Sequence, residues 1–171
     1  MKKLYVYDFD VTLIPYDSFR RYLWHLMRIK PVYVGGLLLL RKVRVMSSRE
    51  LKKRITDMVL SSSSLQTDAM WFAKNLIADM EHPNSIPNSE ILIITASPMV
   101  YMRYLAEELP YTIIASDYTK DDFVEMYGDE KANYLYEHYP KSEYTYTYAI
   151  SDSKSDLCWM KNFEKYELKI K

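Results

Sequence analysis

The sequence predicts an α/β fold: a Rossmann-like three-layer core on a mainly parallel sheet, with a helical cap inserted after the first strand. Three observations predict it. Short apolar runs alternate with helical patterns from residue 91 onward, those runs end on polar residues, and residues 17–82 carry helical spacing throughout. Composition agrees: 171 residues, 49% hydrophobic and 27% charged, suffice for one well-cored unit with an insert and exclude general disorder.

Lys3 to Tyr7, KLYVY, reads as a buried strand that stops at Asp8, and Pro15 marks the turn that follows. Asp17 or Ser18 can cap the next helix, where Phe19, Tyr22, Leu23, Leu26 and Met27 recur at helical spacing until Pro31. Residues 32–45 continue as helix with a weak point at Gly35-Gly36, and Ser47-Ser48-Arg49-Glu50 starts another for ELKKRITDMVL. Ser61 to Ser64 reads as a linker before a helix from Thr67 to Met80, and HPNSIPNS (82–89) as a turn-rich return. ILIIT (91–95) is a continuous run of buried-strand type, followed by a helix over 99–109 that Pro110 closes. The remaining elements are a strand at 111–116, a helix at 130–138, a strand at 144–151, a short helix at 157–163 and a last strand at 166–170. The expected division is an α/β core of residues 1–15 and 86–171 and a helical insertion of residues 16–85.

In a parallel sheet the chemistry sits beyond the carboxyl ends of the strands. Four such ends are polar: Asp8 and Asp10, Thr95 and Ser97, Ser116-Asp117, and Asp152 with Asp156. A cluster of Asp8, Asp10 and Asp152 is costly without a counter-ion, and an all-oxygen hard site suits Mg²⁺, which takes a few carboxylates and keeps several waters for a phosphate to replace.

The set D8-F-D-V-T12, T95-A-S97, Lys131 in G128-D-E-K131 and D152-S-K-S-D156 resembles the haloacid dehalogenase-like superfamily of phosphatases. The insert between the first two motifs resembles the helical cap of its phosphoserine-phosphatase-like branch, so the resemblance implies that residues 16–85 are a cap and that residues 1–15 and 86–171 are the catalytic core. The resemblance implies that Asp8 is the nucleophile and becomes an aspartyl-phosphate, and that Asp10 is the general acid and then the base. It implies Mg²⁺ held by Asp8, Asp152 and the Asp10 carbonyl, phosphoryl oxygens bound by Thr95 and Ala96, and Lys131 neutralising charge around the nucleophile. Asp156 and Thr12 would support the site from behind.

Local readings compete with these roles. Thr12 is read as a hydroxyl closing the turn, Ser97 can cap the helix after Pro98, and Lys120 or Lys154 rivals Lys131 on spacing. Asp117, Asp121 and Asp122 can be capping residues. Val11 stands where many members of the family have glycine, which bears on the loop that presents Asp10. Because Asp10 is present, the resemblance is to the phosphatases and not to the dehalogenases, where that acid is lacking.

Charge is unevenly spread: residues 17–60 hold 11 Lys+Arg against Asp17, Glu50 and Asp57, while the whole chain is neutral. Arg20, Arg21, Arg28, Lys52, Lys53 and Arg54 read mainly as solvated helix faces, with attraction of anionic substrates as the functional alternative. The apolar run of VYVGGLLLLRKVR, flanked by Lys30, Arg41, Lys42 and Arg44, offers a lesser alternative: contact with an anionic membrane surface or with a lipid-like substrate. The expected partner is a small phosphorylated metabolite or lipid-like phosphate, with no nucleic acid because no binding motif accompanies the basic residues. A single cysteine, Cys158, allows no internal disulfide, and the start MKKLYVYDFD lacks a secretory pattern, so a cytoplasmic setting is expected. Competing functions are a non-catalytic anion- or membrane-binding protein on the same fold, and a phosphotransferase.

Overall fold

The computed structural model describes residues 1–84, 86–120 and 122–169. Six strands form one sheet in the order β4-β3-β2-β1-β5-β6. The strands are β1 (Lys2–Tyr7), β2 (Ser89–Pro98), β3 (Thr112–Tyr118), β4 (Phe123–Val124), β5 (Tyr144–Ser151) and β6 (Lys165–Leu168). All neighbours are parallel except β3 and β4. The strand order reverses at β1, which lies between β2 and β5, so the crevice of a doubly wound sheet opens at the carboxyl end of β1.

Between β1 and β2 the chain forms four helices: α1 (Ser18–Ile29), α2 (Pro31–Lys42), α3 (Ser48–Leu60) and α4 (Ser63–Asp79). They constitute the inserted helical cap. The later helices are α5 (Met99–Glu108), α6 (Asp129–His138) and α7 (Leu157–Met160), the last preceded by a 3₁₀ turn at Lys154–Asp156. Side chains of β2 alternate between two cores as a strand requires. Leu92 and Ile94 join Leu135, Trp159 and Phe163 on one face, while Ile93 joins Val100, Tyr101 and Leu105 on the other. That second core runs without a break into the cap, where the rings of Tyr22, Phe72 and Tyr101 lie 4.8–5.4 Å apart in tilted and edge contacts.

Several local expectations are corrected. The helix expected over 32–45 runs through Gly35-Gly36 as α2 and ends earlier, at Lys42. The linker expected at 61–64 is shorter, since α4 already begins at Ser63. Asp17, not Ser18, caps α1, accepting from the Arg20 N–H at 2.8 Å. The two-residue β4 is too short to leave a periodic trace in sequence. The helix expected over 157–163 ends at Met160. Ser85 of the turn-rich return, Asp121 among the capping candidates and Ile170 of the last strand lie outside the described residues.

Candidate active site

Burial of the apolar β1 against both neighbours delivers Asp8 to the crevice, its N–H still donating to the Ile150 carbonyl at 2.9 Å. The chain then turns sharply around one acceptor: the Phe9 carbonyl takes the N–H groups of Thr12, Leu13 and Ile14. Val11 sits in the left-handed region at φ 58, pinned by its N–H to the Tyr16 carbonyl at 3.2 Å. For a β-branched residue this costs about 1–2 kcal/mol, and it is the physical reason glycine suits the position. Thr12 does not close this turn as expected. Its hydroxyl is buried without a hydrogen-bond partner among the described residues, while its carbonyl accepts from Lys169 Nζ at 2.9 Å.

Of the three lysines, Lys131 is the one placed against Asp8. Gly128, at φ 56, turns the chain into α6, and Lys131 in its first turn is 2% exposed. Its ammonium donates to Asp8 Oδ1 at 2.6 Å and to Asp156 Oδ2 at 2.7 Å. Asp156, fully buried, also accepts from the Ser151 hydroxyl at 2.7 Å. Lys154 lines the same cleft, whereas Lys120 is exposed near the β3–β4 turn. Burial pushes the Asp8 carboxyl up to about 7, with Lys131 opposing. Burial also acts to lower the Lys131 ammonium, but Asp8 and Asp156 outweigh it and hold it above the ordinary lysine value. The two directions reflect one inequality: a single ammonium serves two buried carboxylates, so the cation is doubly compensated and Asp8 only partly.

Asp10 is held separately. Its carboxylate accepts from the Ser18 N–H at 2.6 Å, the Ser97 hydroxyl at 2.5 Å and the Thr95 hydroxyl at 3.3 Å. The first donor is at the N-terminus of α1, where unpaired N–H groups and the helix dipole favour an anion. Burial raises the Asp10 carboxyl above its ordinary value, opposed by Ser18 and Ser97. Ser97 therefore does not cap α5, as one reading expected: Pro98 occupies the cap position and the Ser97 hydroxyl is spent on Asp10. The expectation of three converging carboxylates is thereby refined, since the Asp10 side chain is tied to the cap and to β2.

Asp152, half-buried after β5, has its carboxyl raised by burial and lowered by Lys131. Asp8, Asp10, Thr95, Ala96, Lys131 and Asp152 thus line one cleft of about 480 Å³. The Ala96 carbonyl is anchored by the Ser116 hydroxyl at 2.7 Å. Asp117 and Asp122 each accept from the next residue's N–H, and Asp122 also pairs with Arg49 of the cap on the surface.

From the cap, Asp17, Phe19, Ser48 and Lys52 enter the cleft, and Tyr127 joins them from the loop before α6. Lys52 corrects the reading of a solvated face: it is 7% exposed, and its ammonium donates to Glu125 at 2.6 Å beside the Phe19 ring. Ser18 is a second residue that sequence reasoning missed. Fully buried, its hydroxyl lies 2.9 Å from both Ser97 Oγ and Tyr101 OH. The lone signal for it was a polar residue at a helix start, which served equally for capping.

A family model described as haloacid dehalogenase-like hydrolase matches residues 5–161. The chain belongs to the haloacid dehalogenase-like hydrolases. No curated protein matches it significantly. Among solved structures, a protein of unknown function from Bordetella pertussis Tohama I superposes with a TM-score of 0.64 at 12% identity, covering 92% of this chain and 85% of that one. A phospho-aspartyl intermediate analogue of phosphoserine phosphatase follows at 0.54 and 14%, covering 96% and 85%. A phosphoserine phosphatase in apo form gives 0.51 and 13%, covering 99% and 94%. At these identities the likeness is one of fold, and it places this haloacid dehalogenase-like chain with the phosphoserine-phosphatase-like architecture, helical cap included.

Proposed function

We propose that this hydrolase is a Mg²⁺-dependent phosphomonoester phosphatase that carries the phosphoryl group on Asp8, with residues 16–85 forming the cap over a core of 1–15 and 86–171. The observation that carries the reading is the buried Lys131 ammonium 2.6 Å from Asp8 Oδ1 at the switch point of the sheet. It supports Asp8 as the nucleophile because it holds one carboxylate oxygen in place, while Oδ2 makes no hydrogen bond among the described residues. The phosphatases whose fold this chain shares add to the reading.

The donor set fits a hard cation. Asp8 and Asp152 border the cleft, and the Asp10 carbonyl accepts no hydrogen bond among the described residues. Among those residues, no group of three or more His, Cys, Asp or Glu side chains is placed to hold a metal ion, so the side chains offered to a cation at this cleft are the two carboxylates of Asp8 and Asp152, within the one or two that Mg²⁺ ordinarily takes. Held by Asp8, Asp152 and the Asp10 carbonyl, Mg²⁺ would offset the charge of the phosphate.

The remaining chemistry belongs to the chain. An Asp8 oxygen attacks phosphorus as the bond to the ester oxygen breaks, and Asp10 gives its proton to the departing alcohol. Water then attacks the same phosphorus, Asp10 takes its proton, and Asp8 and inorganic phosphate are released. Ser18 and Ser97 orient Asp10 for both transfers, Thr95 and Ala96 border the phosphoryl oxygens, and Asp156 with Ser151 fixes Lys131. Positioning and charge stabilisation of this kind are most of what phosphoryl transfer needs. The exposed free thiol of Cys158 accords with a cytoplasmic setting.

Hydrolysis of an aryl phosphate should need a divalent cation: EDTA should abolish it and Mg²⁺ in excess restore it. Turnover indifferent to EDTA would overturn the metal assignment. Adding an alcohol tests the acceptor, since a new phosphate ester among the products would make the enzyme a phosphotransferase.

The buried Lys52 sets selection by the cap. Lys52→Met should raise KM for anionic phosphate esters by roughly ten-fold, the worth of one charge-assisted contact, with kcat changed less. An unchanged KM across several esters would remove Lys52 from substrate binding.

A further inference from the structure

The outward side of α2 is apolar where a surface helix ordinarily carries charge. Val34 and Leu37 face the core, while Val32 and Leu39, on the opposite side of the helical wheel, are exposed at 89% and 61%, and Tyr33 and Leu40, on the flank between, are exposed as well. Beyond the helix, Arg44 turns the chain at φ 61 and leaves Val43 and Val45 exposed beside it. Lys30 stands at one end of this surface and Arg41, Lys42 and Arg44 at the other, none paired with an acid among the described residues. No Asp or Glu occurs between Asp17 and Glu50.

We propose that α2 and its basic flanks are a docking surface for an anionic lipid bilayer. A helix of 12 residues is about 18 Å long, short of the roughly 30 Å hydrocarbon core, and no helix of the described residues is long and apolar enough to cross a membrane. The segment therefore lies in the interface, its aliphatic side chains entering the acyl boundary and its four cations among the headgroups. Charge decides the occupant. A second copy docking by a two-fold axis would set the same cationic rim against itself, whereas an anionic leaflet complements it.

The test is co-sedimentation of the intact protein with vesicles of phosphatidylcholine alone and of phosphatidylcholine mixed with an equal amount of phosphatidylglycerol. Vesicle binding needs no turnover, so its failure leaves the phosphatase reading untouched. The wild type should bind the anionic vesicles at least ten-fold more tightly than the neutral ones and release them in high salt. Each cation near an anionic surface is worth roughly five-fold in partitioning, so replacing Arg41, Lys42 and Arg44 by serine should weaken binding on the order of 100-fold. Leu39→Asp should weaken it at least ten-fold, and Leu39→Ser is the second variant if the acid alters the circular-dichroism melt. Equal binding to both vesicles, binding that ignores these variants, or no binding together with self-association abolished by Leu39→Asp would overturn the proposal, the last giving the surface to a second copy.

Discussion

Asp8→Asn should remove turnover by on the order of 10⁴-fold or more while leaving the protein folded. The amide cannot attack phosphorus as a carboxylate does, yet it preserves the shape of a side chain that is 5% exposed and keeps an oxygen for Lys131. The Lys131 ammonium also retains Asp156 at 2.7 Å, so the substitution strands no buried cation. Single-turnover hydrolysis of an aryl phosphate, with circular dichroism beside it, measures both halves of the expectation. Activity within ten-fold of the wild type would sink Asp8 as the nucleophile. Mass spectrometry of the wild type quenched in acid should find a phosphoryl adduct on the peptide containing Asp8, and the Asn variant should show none.

Lys131→Met should have the largest effect on stability. It strands the carboxylates of Asp8 and Asp156, both buried and both bonded to the same ammonium. Breaking a buried ion pair from one side costs about 3–5 kcal/mol, which in a domain of this size lowers Tm on the order of 10 °C. Activity should fall as well, since the cation that positions Asp8 is gone. The double variant Lys131→Met with Asp156→Asn separates causes: with one of the stranded charges removed, it should melt above the single lysine variant. If Lys131→Met melts with the wild type, the cation is not what balances the two aspartates. If the double variant melts lower by the full sum of the single effects, the two side chains are not coupled.

The order of elements was legible along the chain because local chemistry repeats it. KLYVY and ILIIT are apolar runs of strand length, and α1 carries its apolar residues at helical spacing, so periodicity alone located them. The polar residues at the strand ends were legible for a topological reason: in a parallel sheet, a residue just past an apolar strand has one edge to occupy. Elements of two to four residues fall below any period, which is why β4 and the end of α7 were misjudged.

By itself, the sequence determined the α/β class, the inserted helices, and the identity of Asp8, Asp10, Thr95 and Asp152 as residues of one sheet edge, because each of these follows from short-range pattern and strand order. Only the tertiary structure decided which lysine meets Asp8, that Ser97 and Ser18 serve Asp10 instead of capping helices, that Lys52 is buried in the cleft, and that the outer side of α2 is left bare. The physical reason is common to all four. A hydrogen bond, an ion pair or an uncovered face depends on what packs against a side chain from far along the chain, 73 residues for Lys52 with Glu125, 79 for Ser18 with Ser97 and 123 for Lys131 with Asp8, and no local period encodes that distance.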